Sequence, residues 1–285
     1  MIKRILRKAS RIIPDKLYIS IKYRLKFGEK MPWSNPVTFN QKLQWLKMYN
    51  RKPEYSRLVD KYEVRGFISD KIGEEYLIPL YGVYDSFDEI DFSSLPDQFV
   101  LKCTHDCGSV IICKDKSGFD KEAAKKKLSA AMKRNYYYGE REWAYKSVKP
   151  RIIAEKYMID EKTAELRDYK FFSFNGDVKL LFIATGRQSG GEVKFDFFDM
   201  DFNHLPIRNG HPNAEILPEK PETFDEMKRL ASILSDGFPH VRVDFYEING
   251  KIYFGEMTFF HFGGFVKFEP AEWDKKMGDW VELPK

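Results

Sequence analysis

Two Asn-Gly dipeptides, Asn175-Gly176 and Asn249-Gly250, constrain the fold of this 285-residue chain more than any other feature. Each dipeptide separates two runs that are rich in β-branched and aromatic residues. Asn and Gly tolerate the positive φ angles of a two-residue turn, so each dipeptide predicts a β-hairpin. The second half of the chain is therefore expected to form antiparallel strands. These are predicted over residues 169–174, 178–185, 241–248 and 251–257.

The first half of the chain has two different patterns. Apolar residues recur at helical spacing over residues 38–75, for example at Phe39, Leu43 and Leu46, and predict a helical region. From Tyr76 onward, short β-branched and aromatic runs predict a second group of strands. These strands are predicted over residues 77–84, 99–103, 110–113 and 151–155. Two further helices are predicted over residues 120–147 and 222–237.

Positive charge is concentrated at the N-terminus. Residues 1–30 contain ten Lys and Arg residues and two acidic residues, whereas the whole chain has a formal net charge of +5. The remainder is therefore slightly acidic, which argues against a nucleic-acid-binding groove. Over residues 1–13, apolar and basic residues occupy opposite faces of a predicted amphipathic helix. This helix suits peripheral contact with an anionic membrane, and packing on its own domain is an equally good interpretation.

The three cysteines, Cys103, Cys107 and Cys113, lie within eleven residues and do not form a disulfide framework. Such cysteines are typical of a reducing compartment, so we expect a cytoplasmic protein, peripheral at the inner face of the membrane if the N-terminal helix binds lipid. No stretch approaches the roughly eighteen apolar residues of a membrane span. His105 alternates with two of the cysteines, but the spacing fits no zinc pattern.

The first candidate site residue is Lys102, near the end of a predicted strand. A turn of small residues that contains Gly108 and Ser109 follows it. Backbone amides in such a turn bind anionic oxygens, and a lysine adds a positive charge, so the segment predicts a phosphate site. An exposed lysine in a hairpin is the other interpretation, because the chain contains neither the Walker lysine motif nor a GxGxxG sequence.

The second candidate begins at Glu155, where a predicted strand ends. Backbone groups at a strand end can hydrogen-bond the edge of an adenine ring. Tyr157 and Met158 would supply apolar surface for the purine, and Glu155 could accept a hydrogen bond from its amino group. Asp168 and Lys170 follow about ten residues later and extend the same candidate site. Without a partner motif, the segment would be an ordinary surface turn.

The third candidate is an acidic pair in the last predicted hairpin. Asp244 lies between two apolar residues of a strand, which is an unusual place for a carboxylate. Pairing across the Asn-Gly turn places Asp244 opposite residue 255 or 256, so Glu256 becomes its neighbour. Two close carboxylates repel each other unless a cation lies between them, and oxygen ligands suit Mg²⁺ bound together with phosphates. The alternative is two exposed acids on opposite edges of the hairpin.

In this order, the three candidates resemble the ATP-grasp superfamily, in which two α/β lobes clamp ATP. More narrowly, five segments spread over nearly the whole chain resemble the TupA-like ATP-grasp proteins of surface-polysaccharide gene clusters. These segments read TFNQKLQWLKMY, LVDKYEVRGFI, ELRDYKFFSFNG, VRVDFYEINGKIYFGEMTF and WDKKMGDWVELP. The resemblance implies an α/β (α+β) fold with three parts. They are a helical N-terminal region over residues 1–75, a small lobe over residues 76–155 and a large lobe over residues 156–285.

The resemblance also implies roles for individual residues. Lys61 and Lys102 would contact the phosphates of ATP, and the turn at Gly108 and Ser109 would close over them. The implied adenine-binding residues are Glu155, Lys156, Tyr157 and Met158, with Asp168 and Lys170 beside them. The implied ligands of Mg²⁺ are Asp244, Glu256 and Thr258, the last of which stands where many ATP-grasp enzymes have Asn. The implied carboxylate or phosphate binders are Arg187 and Arg242.

The chemistry that the resemblance implies is phosphorylation of a carboxylate by ATP, followed by attack of an amine to give an amide. The acid would be a carboxylate-bearing glycan or sugar precursor of a capsule or other surface polysaccharide, and the amine an amino acid or simple amine. Three other hypotheses stay open. They are a glycosyltransferase, because Asp199-Met200-Asp201 fits the DxD pattern, a sugar kinase that uses the same site, and a membrane-surface scaffold with a degenerate ATP site.

Overall fold

The computed structural model describes residues 10–163, 165–186 and 191–285. Most of the predicted N-terminal amphipathic helix lies outside these residues, and so does Arg187. Within the described ranges, helices precede two antiparallel sheets, and further helices pack on the sheets. None of the helices in these ranges is long and apolar enough to cross a membrane.

The described part of the N-terminal region is built from four short helices, of which the last three contribute to the core of the larger sheet, whereas the first packs in a separate cluster with Phe265. They are α1 (Asp15–Phe27), α2 (Phe39–Tyr49), α3 (Glu54–Val59) and α4 (Val64–Lys71). Helix α2 begins with a capping box, in which Thr38 Oγ1 accepts a hydrogen bond from the amide of Gln41 and Gln41 Oε1 accepts one from the amide of Thr38. One face of α2 buries Phe39, Leu43 and Leu46 in the main core. The helical region therefore shares the core of the larger sheet.

The smaller sheet has four antiparallel strands in the order β1-β4-β2-β3. They are β1 (Leu80–Tyr84), β2 (Phe99–Cys103), β3 (Val110–Cys113) and β4 (Ile152–Lys156). Side chains alternate along β2, so that Phe99, Leu101 and Cys103 are buried against helix α5 (Lys121–Met132), whereas Val100 and Lys102 lie on the opposite face. The short helix α6 (Tyr137–Glu140) follows α5. One face of this sheet thus forms a core, and the other faces the larger sheet.

The larger sheet has six antiparallel strands in the order β10-β9-β5-β6-β7-β8. They are β5 (Asp168–Phe174), β6 (Asp177–Thr185), β7 (Lys194–Phe198), β8 (His204–Leu205), β9 (Val241–Ile248) and β10 (Lys251–Thr258). Helix α7 (Phe224–Ser235) packs on one face, where Phe224 contacts Phe171. Helix α2 covers part of the other face through the contact of Phe39 with Phe172. Two residues before Phe172, Lys170 shares that face and lies towards the smaller sheet.

The predicted strands are confirmed to within three residues at each end, and both Asn-Gly hairpins are present. All four turn residues have positive φ angles, as this kind of turn requires. The prediction of one helical segment over residues 120–147 is wrong, because α5 ends at Met132 and only α6 and a short 3₁₀ turn follow. Four elements were not predicted from the sequence, namely β7, β8, α1 and the last helix, α8 (Glu272–Trp280).

Helix α8 lies so close to the start of α2 that one of its positions has no room for a side chain. A Cβ atom at Gly278 would lie 2.2 Å from the carbonyl oxygen of Val37 and 2.8 Å from the amide nitrogen of Phe39. Asp274 strengthens the contact, because its Oδ1 accepts a hydrogen bond from the amide of Asn40 at 2.8 Å. The closing segment of the chain is thereby fixed to the N-terminal region.

Gly278→Ala is expected to lower the free energy of unfolding by about 1–3 kcal/mol, because α8 must move away from α2 to make room. Gly66→Ala is the matched control, since a Cβ at Gly66 meets no atom within 4 Å and alanine favours a helix over glycine by about 1 kcal/mol. Urea denaturation monitored by circular dichroism measures the free energy of unfolding of both variants. Equal stability of the two variants would contradict the close contact.

Candidate active site

A cavity of about 460 Å³ lies between the two sheets. Residues from the smaller sheet form one wall, and residues from β5, β9 and β10 form the other. Ten of the residues predicted as site residues line it. They are Lys61, Lys102, Gly108, Glu155, Lys156, Tyr157, Met158, Asp168, Lys170 and Glu256. The fold therefore brings candidates from four distant parts of the sequence to one place.

Lys102 and Glu155 form an ion pair in one wall of this cavity. Glu155 lies directly opposite Val100 across β4 and β2, so strand alternation puts Lys102 and Glu155 on the same face. Lys102 Nζ is 2.5 Å from Glu155 Oε2, and Arg65 Nη1 is 3.8 Å from Glu155 Oε1. Both carboxylate oxygens thus face cations. In this structure the side chain of Glu155 orients Lys102. The sequence instead predicts that Glu155 accepts a hydrogen bond from adenine.

The turn between β2 and β3 is held by Lys61, whose ammonium group donates to the carbonyl oxygen of Asp106. Gly108 has a φ of +98°, and a Cβ atom there would meet nothing within 4 Å, so its backbone is open to the cavity. Ser109 is buried, and its hydroxyl donates to the carboxylate of Asp106. Ser109 therefore supports the turn internally, which differs from its predicted contact with phosphates.

The part of the cavity near the end of β4 is apolar. Val100 and Ile112 face it from the smaller sheet, and Ile78, Met158 and Tyr246 line the opposite side. Ile112 is 42% exposed although it belongs to a strand. A flat aromatic ring placed between the two groups would cover this surface. Of these five residues only Met158 was predicted from the sequence, because β3 reads VIIC and carries no alternation that would mark Ile112.

A buried cluster of charges lies in the larger sheet at the other end of the cavity. Lys170 pairs with Asp244 across β5 and β9, and its ammonium group donates to Asp244 and, at 3.1 Å, to Asp168. Arg242 binds the same carboxylate twice, with Nε 2.7 Å from Oδ1 and Nη2 2.7 Å from Oδ2. Burial alone would raise the pKa of Asp244, but Arg242 and Lys170 hold it below its ordinary value. Asp244 is therefore ionised.

A β-bulge at Gly255 determines the direction of Glu256. Phe254 pairs with Phe245, but beyond the bulge Glu256 pairs with Asp244. This shift places Glu256 on the face of Asp244, because without the bulge it would lie on the opposite face of the sheet. A Cβ atom at Gly255 would be only 3.0 Å from the carbonyl oxygen of Asp244, so glycine suits the bulge. The prediction that the two carboxylates are neighbours is confirmed.

Three polar residues of β9 and β10, Asp244, Glu256 and Thr258, surround the guanidinium group of Arg242. Its Nη2 is 3.1 Å from Glu256 Oε1 and 3.0 Å from Thr258 Oγ1, in addition to its bond with Asp244. Mg²⁺ in phosphate-transfer sites usually takes one or two carboxylates and completes its shell with phosphates and water. Two carboxylates and a hydroxyl around one positive group match this preference, and the side chain of Glu256 is 29% exposed. Asp244, Glu256 and Thr258 therefore form a set of oxygen donors of the kind that could hold Mg²⁺.

A second cavity, of about 360 Å³, adjoins the first. Cys107, Lys170 and Glu256 line both cavities, which therefore meet at the charge cluster. Arg242 and Thr258 line the second cavity. The other residues of its wall were not predicted as site residues, because they come from separate segments that carry no motif. They include Tyr136, Glu140, Glu142, Tyr145, Phe182, Phe195, Phe260, Phe262 and Phe265.

Two other patterns in the sequence, His105 among the cysteines and the DxD tripeptide at Asp199, form local hydrogen bonds or contacts with the backbone. His105 is buried, and its Nε2 lies 3.3 Å from the carbonyl oxygen of Ala131, which is in α5. Within the described ranges, no group of three or more His, Cys, Asp and Glu residues is placed so that it could hold a metal ion. Asp199 of the DxD pattern accepts hydrogen bonds from the amides of Asp201 at 3.0 Å and Asn203 at 2.8 Å, so it closes its own turn.

Comparison with protein families gives one match. The model described as TupA-like ATPgrasp matches residues 41–282. This range includes all the residues that line the first cavity, and all those of the second except Lys26. A comparison with curated proteins finds no significant match.

Three solved structures that this chain resembles are the following. D-alanine--D-alanine ligase from Bacillus anthracis complexed with ATP is 14% identical, with a TM-score of 0.42 over 70% of this chain and 54% of that chain. L-amino acid ligase from Bacillus licheniformis is 16% identical, with a TM-score of 0.45 over 86% of this chain and 55% of that one. The ATP-grasp ligase PsnB complexed with a precursor variant, Mg and ADP is 12% identical, with a TM-score of 0.40 over 76% and 56%. The chain spans about half the length of these structures.

Removing one cation from the charge cluster is expected to destabilise the protein. Lys170→Met should lower the free energy of unfolding at pH 7 by about 3 kcal/mol, because Asp168 and Asp244 lose the cation that they share in a buried place. Lys179→Met, at a half-buried position of β6 whose ammonium pairs with the exposed Asp177, is the control and should cost less than about 1 kcal/mol.

The effect of Lys170→Met should also depend on pH. The pKa of Asp244 is lowered in the folded protein, so the stability that this carboxylate contributes is present above its unfolded pKa and is lost as the pH falls through the lower folded value. The difference between the variant and the wild type should therefore shrink below about pH 4. Urea denaturation at pH 7 and pH 3.5 measures it, and an equal loss at both pH values would contradict the assignment.

Proposed function

Because the chain belongs to the TupA-like ATP-grasp family, we propose that it is an ATP- and magnesium-dependent ligase that joins a carboxylate to an amine. The observation that carries the proposal is the meeting of two cavities at Lys170 and Glu256. The first cavity has the lysines that a nucleotide needs and an apolar part near the end of β4, which we call the apolar slot. The other provides a separate space beside the same charges, as a second substrate needs.

In the first cavity, the purine ring lies in the apolar slot between Ile112 and Met158. Its edge faces the backbone at the end of β4, which includes Lys156 and Tyr157. The phosphates extend towards Lys61 and Lys102, whose charges balance them, and the open backbone at Gly108 lies against the phosphate oxygens. The support for this arrangement is that all these residues line one cavity.

Asp244 and Glu256 would hold magnesium, and the hydroxyl of Thr258 would be a further ligand or the partner of a bound water. A bound Mg²⁺ would neutralise charge on the β- and γ-phosphates as the phosphoryl group moves. For this to happen, Arg242 leaves its place between the acids and turns its guanidinium group towards the anionic substrate. Its charge, together with that of Lys170, then stabilises the group in transfer.

The reaction has two steps. A carboxylate oxygen of the first substrate attacks the γ-phosphorus of ATP, ADP leaves with the electron pair of the broken P–O bond, and an acyl phosphate forms. The nitrogen of the amine then attacks the acyl carbon, and phosphate leaves with the electron pair of the C–O bond and accepts the proton that the nitrogen loses. Arg187 serves as a further carboxylate or phosphate binder in this proposal, and its place lies outside the described residues.

The acid in this proposal is a carboxylate-bearing glycan or sugar precursor of a surface or capsular polysaccharide, and the amine is an amino acid or related amine. This part rests on the sequence resemblance alone. A sugar kinase would use the same nucleotide cavity, and the mass of the product separates phosphorylation from amide formation. A glycosyltransferase is disfavoured, because Asp199 already binds the backbone of its own turn.

Glu256→Gln is expected to reduce ADP release in the presence of acid, amine and ATP at least a hundredfold, because the amide cannot supply the charge that the metal needs.

Lys102→Met should weaken ATP binding about ten- to a hundredfold through loss of a charge-assisted contact. Lys126→Met, on the exposed side of α5, should change neither quantity. A coupled ADP assay and calorimetric titration with ATP measure the two effects.

Wild-type turnover in Glu256→Gln would contradict the metal assignment. Stabilisation of the wild type against heat by nucleotide sugars but not by ATP would favour the glycosyltransferase and overturn the ligase proposal. If Lys102→Met bound ATP as well as the wild type does, the first cavity would lose its assignment as the nucleotide site.

A further inference from the structure

The second cavity contains a buried carboxylate that has no bonded partner in the described part of the chain. Glu142 is 4% exposed and lines this cavity. Its carboxylate makes no hydrogen bond or close ion pair with the described residues, and burial raises its pKa to about 8 although Lys47 opposes the change. A buried carboxylate without a partner is costly when ionised, so a positively charged ligand would stabilise it.

The charged groups around Glu142 are already engaged with other partners. Lys170 binds the carboxylates of the buried cluster. Arg242 binds Asp244 in this structure and the anionic substrate in the proposed reaction, so it has an anionic partner in both states. Lys47 Nζ donates to the backbone carbonyl oxygen of Glu140 at 2.7 Å. The side chain of Glu140, the neighbouring acid, has its own lysine partner in α1 at 2.5 Å. Among the described acidic residues of this cavity, and apart from the proposed metal ligand Glu256, Glu142 is therefore the one that remains available to bind a ligand.

The walls of the second cavity are aromatic. Tyr136 and Tyr145 lie in the segment around Glu142, and Phe182, Phe260 and other phenylalanines complete the lining. Aromatic faces attract ammonium groups through their quadrupoles and cover the apolar part of a ligand. The adjoining core already shows such a contact, since an ammonium group there lies 4.5 Å from the centre of the Phe265 ring. An acid among aromatic rings is suited to a protonated amine with an apolar body.

We propose that the second cavity binds the amine substrate as an ammonium ion, with its charge at Glu142 and an aromatic or branched apolar body among the aromatic side chains. The inference rests on the proposed function and adds to it the class of the second substrate. The volume of about 360 Å³ accommodates a molecule the size of a large amino acid or arylalkylamine.

The position of the cavity also provides a route for the proton. Before attack, the ammonium group transfers one proton to the Glu142 carboxylate, and the electron pair of that N–H bond stays on the nitrogen. The nitrogen then forms the C–N bond with the acyl carbon beside Glu256 and Lys170. Phosphate leaves with the electron pair of the C–O bond, and it accepts the second proton of the nitrogen.

The first test measures binding without turnover. The full-length protein with a non-hydrolysable ATP analogue and Mg²⁺ is heated in the presence of 2-phenylethylamine or of 2-phenylethanol, which differs by the charged group. We expect the amine to raise the Tm and the alcohol to leave it unchanged. Glu142→Gln should abolish the shift caused by the amine and keep the shift caused by the nucleotide. Glu122→Gln, exposed on α5, should keep both shifts.

The second test measures turnover. Glu142→Gln should raise the KM for the amine about ten- to a hundredfold, because a charge-assisted hydrogen bond is lost, and should lower kcat, because an amide cannot accept the ammonium proton, while the KM for ATP stays the same. Glu142→Asp keeps the charge with a shorter side chain, so it should recover part of the affinity. A purely structural role of Glu142 would instead change both KM values together.

Equal shifts with the amine and the alcohol, or an amine shift that persists in Glu142→Gln, would overturn the inference. A wild type that responds to the nucleotide but to no aromatic or branched amine would overturn it as well, and would leave the nucleotide site standing. A wild type that responds to the amine but not to the nucleotide would support the inference about the cavity and overturn the proposed function.

Discussion

The ionic contact of Asp244 with Arg242 and Lys170 is the interaction on which the rest of the site depends. It lies in the middle of the larger sheet, where Asp244 is fully buried and is tolerated because two cations bind its carboxylate. Because Arg242 also contacts Glu256 and Thr258, the same interaction fixes the residues that fit a metal ion. Stability and chemistry are therefore coupled at this point: the charges that hold the strands together are those that a phosphoryl group would meet.

The two cavities follow from how strands present alternate side chains. In the smaller sheet, alternation sends one set of β2 residues into the core and leaves Lys102 facing the larger sheet. In the larger sheet, alternation puts Lys170 and Asp244 on the facing side, and the bulge at Gly255 adds Glu256 to them. An apolar slot, two lysines and a charge cluster thus follow one another along the gap between the sheets, in the order of the parts of a nucleotide.

Local patterns in the sequence were enough to predict the strands, both Asn-Gly hairpins and the neighbouring carboxylates, because turn chemistry and strand alternation act over a few residues. The partners of Glu155 and Ser109 were not predictable in this way, since each binds a residue whose position depends on the folded turn or sheet. The second cavity was missed for the same reason: Glu142 and the phenylalanines come together only when the segment after α5 meets the larger sheet. Strand β7 was missed because buried Asp196, which accepts a hydrogen bond from the amide of Ala214, interrupts its apolar pattern.

The most direct test of the central claim is a crystal structure of the full-length protein with a non-hydrolysable ATP analogue and Mg²⁺. The account predicts the purine ring between Ile112 and Met158, phosphates at Lys61 and Lys102, and a metal ion bound by Asp244 and Glu256 with Arg242 moved aside. A nucleotide bound outside the gap between the two sheets would contradict it. So would a complex in which Arg242 still fills the space between the two carboxylates.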